Sequence, residues 1–201
     1  MREAGALIVA AGRSVRMGDF KPLMEFKGET VIRRVVRSLK EAGASPIFLV
    51  TGYRGEDLRA HLTGEDIRFV ENPDYAATQM FDSVKLGLEE AVRSCGRILI
   101  TPGDVPLLSV PIIRRVMEEE APLVRPVYGN RPGHPVLISA DLARMLCLYQ
   151  GEGGLRQAME SLPVPLKDIP VEDEAVYMDA DTPQEFERLL AIADARELSE
   201  K

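Results

Sequence analysis

The chain has 201 residues, 45% hydrophobic and 28% charged, with 25 Lys and Arg against 32 Asp and Glu and a formal net charge of −7. That length can bury a sizeable core in one domain, and an acidic balance without a long basic run argues against a nucleic-acid groove. Sixteen Gly and fourteen Pro are dispersed, which excludes collagen-like and low-complexity disordered readings.

The first apolar run, Ala6 to Ala11, is too short for a membrane span or a signal-peptide core; Ala6–Ala10 within it reads as a buried strand, and a cytoplasmic protein without membrane contact is expected. Further strands are predicted at Ile47–Thr51, Ile67–Glu71, Ile98–Thr101, Leu123–Tyr128 and Val136–Ser139. Between them, helices are predicted at Thr30–Ala42, Arg54–Leu62, Met80–Arg93, Pro111–Glu119 and Ala140–Tyr149. Alternation of this kind implies right-handed crossovers and a mostly parallel sheet with helices on both faces, a three-layer α/β/α Rossmann-like fold. A last helix starts at the Thr182 cap with Pro183 in the first turn and Glu185 three residues after the cap; its apolar face predicts docking on the sheet, and Glu197–Lys201 reads as a frayed tail. Cys95 and Cys147 lack a CxxC spacing and have only two His to join them, so neither a disulfide framework nor a zinc site is indicated.

The first strand runs into Ala11-Gly12-Arg13-Ser14-Val15-Arg16-Met17-Gly18-Asp19-Phe20-Lys21. A small-residue turn at a strand's carboxyl end lets backbone amides approach phosphate oxygens, and Arg13, Arg16 and Lys21 add positive charge. Five residues separate Gly12 from Gly18 and Asp19 follows, so this is not a Walker A loop; GxGxxG is also missing from it. Asp104, in Thr101-Pro102-Gly103-Asp104-Val105-Pro106, lies at the end of another buried strand, where ligands of open α/β sheets collect. One carboxylate there suits Mg²⁺, which takes few protein ligands beside substrate phosphates, although an Asp can also simply open a Pro turn. Asp179 and Asp181 precede the capped helix, where an acid is favoured by the helix dipole alone.

Three of these segments together resemble the MobA-like nucleotidyltransferases: Ala10 to Lys21 is similar to AAGxSxRMG…K, Gly103-Asp104-Val105-Pro106 to GDxP, and Asp179-Ala180-Asp181-Thr182-Pro183 to DxDTP. The likeness runs over roughly residues 5–190, and one such domain over 1–201 is expected. It implies a nucleotide site of Ala10, Ala11, Gly12, Arg13, Ser14, Arg16, Lys21, Gly103 and Asp104, with Arg16, Lys21 and Asp104 as catalytic residues. Mg²⁺ would be held by Asp104 with Asp179 or Asp181, between which the sequence does not choose. Asn72 and Ser83 fall in a stretch similar to the family's nucleotide-lining segment, with Gln79 where a glycine is usual.

The elements Arg131-Pro132-Gly133-His134-Pro135 and Gly151-Glu152-Gly153-Gly154-Leu155-Arg156 resemble those of molybdenum-cofactor cytidylyltransferases, which implies His134 and Arg156 as acceptor contacts. His134 also reads as a structural imidazole in a turn, and Glu152 departs from the usual Asp. Ala10-Ala11 replaces the Gly-Gly of GTP-using members, so CTP is the expected nucleotide. A phosphorylated small molecule, molybdopterin among the candidates, is the expected acceptor, with a molybdoenzyme maturation partner implied. A sugar-, polyol- or other cofactor-phosphate nucleotidyltransferase shares the same motifs, and a nucleotide-binding regulatory module without turnover is the reading from a different class.

Overall fold

The computed structural model describes residues 3–13, 17–179 and 181–199. In chain order its elements are β1 (Gly5–Ala10), β2 (Glu25–Phe26), β3 (Glu29–Thr30), α1 (Val31–Ala42), β4 (Ile47–Thr51), α2 (Gly55–His61), β5 (Arg68–Glu71), α3 (Met80–Ala91) and β6 (Arg97–Pro102). Then follow α4 (Val110–Glu118), β7 (Leu123–Tyr128), β8 (Arg131–Pro132), β9 (Val136–Ser139), α5 (Ala140–Leu148), α6 (Gly154–Glu160), β10 (Lys167–Pro170) and α7 (Pro183–Ser199).

The main sheet has the order β10-β7-β9-β6-β1-β4-β5, with β8 pairing on β7. β1 pairs in parallel with both β4 and β6, so the most apolar strands sit in its middle. β9 runs antiparallel to β6 and β7 because the connection from β7 is too short for a crossover helix. Side chains alternate across β1: Ala6 and Ile8 join Ile32, Val35, Val36 and Leu39 of α1 and Ile113 of α4 on one face. Leu7 joins Val84 and Leu88 of α3, Leu146 of α5 and Ala158 of α6 on the other. The three-layer α/β/α expectation therefore holds.

α1 begins where Thr30 Oγ1 accepts from Arg33 N and ends at Gly43, whose φ of 94° favours a residue without Cβ. Thr182 caps α7 as predicted, its Oγ1 accepting from Glu185 N at 3.2 Å. That helix does not dock on the sheet, however. Phe186, Leu189 and Ala193 pack with Phe26 of the β2–β3 hairpin, Leu107, Ala175 and Met178 in a separate cluster, with Phe26 and Phe186 edge to face at 5.7 Å. The hairpin takes the apolar stripe that the sequence offers to the sheet. α7 continues to Ser199 rather than fraying from Glu197, and Glu200 and Lys201 lie outside the described residues. Among the described residues no helix is long and apolar enough to cross a membrane.

Candidate active site

Parallel pairing brings the carboxyl ends of β1 and β6 side by side. Gly103 N donates to Val9 O at 2.9 Å, which locks the turn carrying Asp104 against the start of the glycine loop. A Cβ on Gly103 would lie 3.0 Å from Ala10 Cβ and 3.2 Å from Ile32 Cδ1, so glycine is what allows this approach. Phe20, buried at 2% exposure, anchors the far end of the loop, and the 3₁₀ turn Lys21–Leu23 then aims Lys21 inward. Its Nζ donates to Asp104 Oδ2 at 3.2 Å and to Asp181 Oδ1. A lysine from near the start of the chain thus bridges an acid from the middle and one from near its end.

These groups form the floor of a cleft of about 500 Å³ that also includes Ala10, Ala11, Gly12, Ser83, Gly103, His134 and Asp179. Burial works against the charge on Lys21, but hydrogen bonds and attraction from Asp181 and Asp104 outweigh it, and its pKa lies above the usual lysine value. Burial also raises the pKa of Asp179, reinforced by the neighbouring charges of Asp181 and Asp104. Among the described residues lining the cleft, one ammonium faces three carboxylates. This crowding of hard oxygen donors is compatible with Mg²⁺. No set of three His, Cys, Asp or Glu among the described residues makes a ready cage, so water and phosphate oxygens would complete the coordination.

The remaining expected residues are distributed unevenly. Ser14 and Arg16 lie outside the described residues. Arg13 stacks its guanidinium over the Tyr75 ring, 5.5 Å from the centroid, and does not line the cleft. Asn72, expected as a nucleotide contact, is 2% exposed and does not line the cleft; its amide NH₂ donates to Thr78 Oγ1 and Ser83 Oγ. Arg156, expected as an acceptor contact, is exposed on α6, paired with Glu160 at 3.0 Å, and does not line the cleft.

His134 does line the cleft. Its backbone N donates to Val176 O at 2.7 Å, and its Nδ1 is sealed from solvent without a hydrogen-bond partner. Desolvation lowers the imidazole pKa to about 4, so the ring is neutral near pH 7. Tyr75, Thr78, Gln79, Met80 and Pro22 complete the wall. Sequence reasoning did not single out Tyr75 or Thr78, whose only signal was their place between Asn72-Pro73 and the Met80–Ser83 stretch similar to the family's nucleotide-lining segment. Gln79 caps α3 in extended backbone, with φ −89°, and its N–H donates to Asp82 Oδ2 at 2.8 Å. The missing glycine therefore imposes no strain there.

The MobA-like NTP transferase domain matches residues 6–166. The molybdenum cofactor cytidylyltransferase of Escherichia coli K12 is 30% identical over 188 residues, spanning 92% of this chain and 95% of its own. The nicotine blue oxidoreductase of Paenarthrobacter nicotinovorans is 26% identical over 195 residues, with the same coverages. Among solved structures, Rv0371c of Mycobacterium tuberculosis in complex with manganese superposes with a TM-score of 0.75 at 25% identity, covering 95% of this chain and 99% of that one.

Proposed function

The chain belongs to the MobA-like NTP transferase family, and from that premise we propose that it is an Mg²⁺-dependent cytidylyltransferase carried by one domain over residues 1–201, transferring CMP from CTP to a phosphorylated acceptor, molybdopterin in the first instance. The observation that carries this reading is the Lys21 ammonium between Asp104 and Asp181 on the cleft floor. The cytidylyltransferase relative supports the choice of nucleotide and acceptor. The oxidoreductase relative suggests redox chemistry, but the loop after β1 lacks the glycine spacing of a dinucleotide-binding turn.

In the proposed reaction an acceptor phosphate oxygen attacks the α-phosphorus of CTP. A phosphoanhydride forms, the bond from the α-phosphorus to the β-phosphate bridging oxygen breaks, and pyrophosphate leaves with the electron pair. The acceptor is already anionic, so no strong general base is required. Alignment and charge neutralisation carry the catalysis.

Asp104 and Asp181, with Asp179 beside them, are the residues that would hold Mg²⁺. When bound, the ion supplies the positive charge that a triphosphate needs in an acid-rich cleft. Lys21, kept protonated by its two acids, exchanges a carboxylate for a phosphate oxygen and meets the charge growing on the departing pyrophosphate. Arg16 is assigned to the same triphosphate. Gly12 offers backbone N–H at the end of β1, and Ala10 and Ala11 line the cleft beside it. His134, neutral near pH 7, orients the acceptor through hydrogen bonding and not as a cation.

Mass identification of the product formed from CTP, Mg²⁺ and a molybdopterin acceptor tests nucleotide and acceptor together. A CMP adduct with pyrophosphate release is expected. Equal or better use of GTP would overturn the nucleotide assignment, and product only with a sugar or polyol phosphate would move the acceptor to that class.

A further inference from the structure

Asn72 stands at the end of β5, 2% exposed, with its backbone N donating to Thr51 O at 2.8 Å. Its side-chain oxygen and nitrogen can be told apart by chemistry. Asp74 N–H, which can only donate, lies 3.0 Å from one end of the amide, so that end is Oδ1 and accepts. The other end is the NH₂ group. Its two hydrogens go to Thr78 Oγ1 at 3.0 Å and Ser83 Oγ at 2.9 Å.

Both hydroxyls are therefore acceptors toward Asn72, and each must send its own hydrogen elsewhere. Thr78 Oγ1 donates to Asp74 O at 3.0 Å, which closes the turn. Ser83 has no such acceptor among the described residues, and it lines the cleft. We propose that Asn72 is a positioning residue: by occupying the acceptor side of Ser83, it directs the Ser83 O–H into the cleft as a donor to an oxygen of the bound nucleotide. The hydroxyl is set before the ligand arrives and is not left to rotate between partners, which reduces the ordering cost of binding. This inference rests on the nucleotide-transfer reading above.

The test is calorimetric binding of CTP, CMP and cytidine to the intact protein, without turnover. Ser83→Ala is expected to weaken CTP binding by roughly twofold to 150-fold, the range for one hydrogen bond to a neutral or charged oxygen; Ser83→Thr should restore most of it. Asn72→Asp replaces the NH₂ donor by an acceptor that captures the Ser83 hydrogen. It should weaken CTP to a similar extent, yet add little once Ser83 is already Ala. That coupling separates hydroxyl orientation from a general structural or charge effect, which would cost the same in both backgrounds. A loss shared by cytidine places the accepting oxygen on the nucleoside, and a loss confined to CTP places it on the phosphates; either supports the proposal. Wild-type affinity in Ser83→Ala, or an equal cost of Asn72→Asp with and without the Ser83 hydroxyl, overturns it. Wild-type protein that binds no CTP overturns the function reading and this inference with it, whereas wild-type binding with unaffected variants overturns the inference alone.

Discussion

Replacing Lys21 by Met keeps the length of the side chain and removes its charge. In the native protein the Lys21 side chain is 7% exposed, while the side chains of its partners Asp104 and Asp181 are 23% and 22% exposed. Removing one member of a fully buried ion pair costs about 3–5 kcal/mol, and the partial hydration of both acids reduces this to about 2 kcal/mol. For a chain of this size that corresponds to a melting temperature lower by about 4–8 °C. The lysine pKa is raised in the fold, so its contribution is fully present below its unfolded value and is lost only as pH rises through the folded one. The deficit of Lys21→Met should accordingly be flat between about pH 6 and 9. A divalent ion can take the position of the missing ammonium. Thermal melts with and without millimolar Mg²⁺ should therefore show the variant regaining part of its deficit, by about 1.4 kcal/mol at tenfold excess over Kd, while the wild type moves less. Turnover should fall by about 10²–10³-fold, as for loss of one preorganised group facing a developing charge. Unchanged melting together with unchanged kcat/KM in Lys21→Met would refute the argument.

Asp104→Asn should abolish metal-dependent turnover while circular dichroism and melting stay close to wild type, because the side chain is partly exposed and the strand-end turn is held by backbone bonds; near-normal turnover at saturating Mg²⁺ would remove Asp104 from the mechanism. His134 titrates at about 4 in the fold and near 6.5 when unfolded, so the unfolded chain binds the extra proton between these values. Its stabilising contribution is complete above about pH 6.5 and declines toward pH 4, by on the order of 2 kcal/mol once the part of the residue facing the cleft is discounted. Urea denaturation of wild type and His134→Gln checks this: the variant should lose less stability on acidification through that window, and parallel pH profiles would contradict it.

The inner strands were legible because their residues are apolar almost without interruption. β4, β7 and β9 begin and end where the sequence places them. β10 was not legible, since in Lys167-Asp168-Ile169-Pro170 only Ile169 is buried, leaving an edge strand with no periodic signal. α6 is seven residues long and opens on two glycines with positive φ, so neither length nor cap announced it. The direction of β9 was hidden in the same way: apolarity marks a strand but not its sense, and only the shortness of the connection from β7 decides it.

At the site, Lys21 was visible as the closing residue of the loop motif and Asp104 as an acid just past a strand end. Their contact with Asp181 depends on a path of the chain that no local pattern encodes. Asn72 shows the opposite limit. Its residue type and place suggested a ligand contact, but only three-dimensional hydrogen bonding shows that both amide hydrogens are already committed.

The return of the chain from β10, at the outer edge of the sheet, to the cleft has a consequence for the order of assembly. The family match ends at residue 166, before this return, and Asp179 and Asp181 lie beyond it. A ribosome-bound intermediate folded through β9 would already hold the glycine turn, Lys21 and Asp104, but would lack the last carboxylate and the Phe186 anchor that closes over Phe26. On the proposed mechanism, competence for chemistry would be acquired late in synthesis, and a nick between β10 and α7 would be expected to silence the protein while leaving most of its core intact.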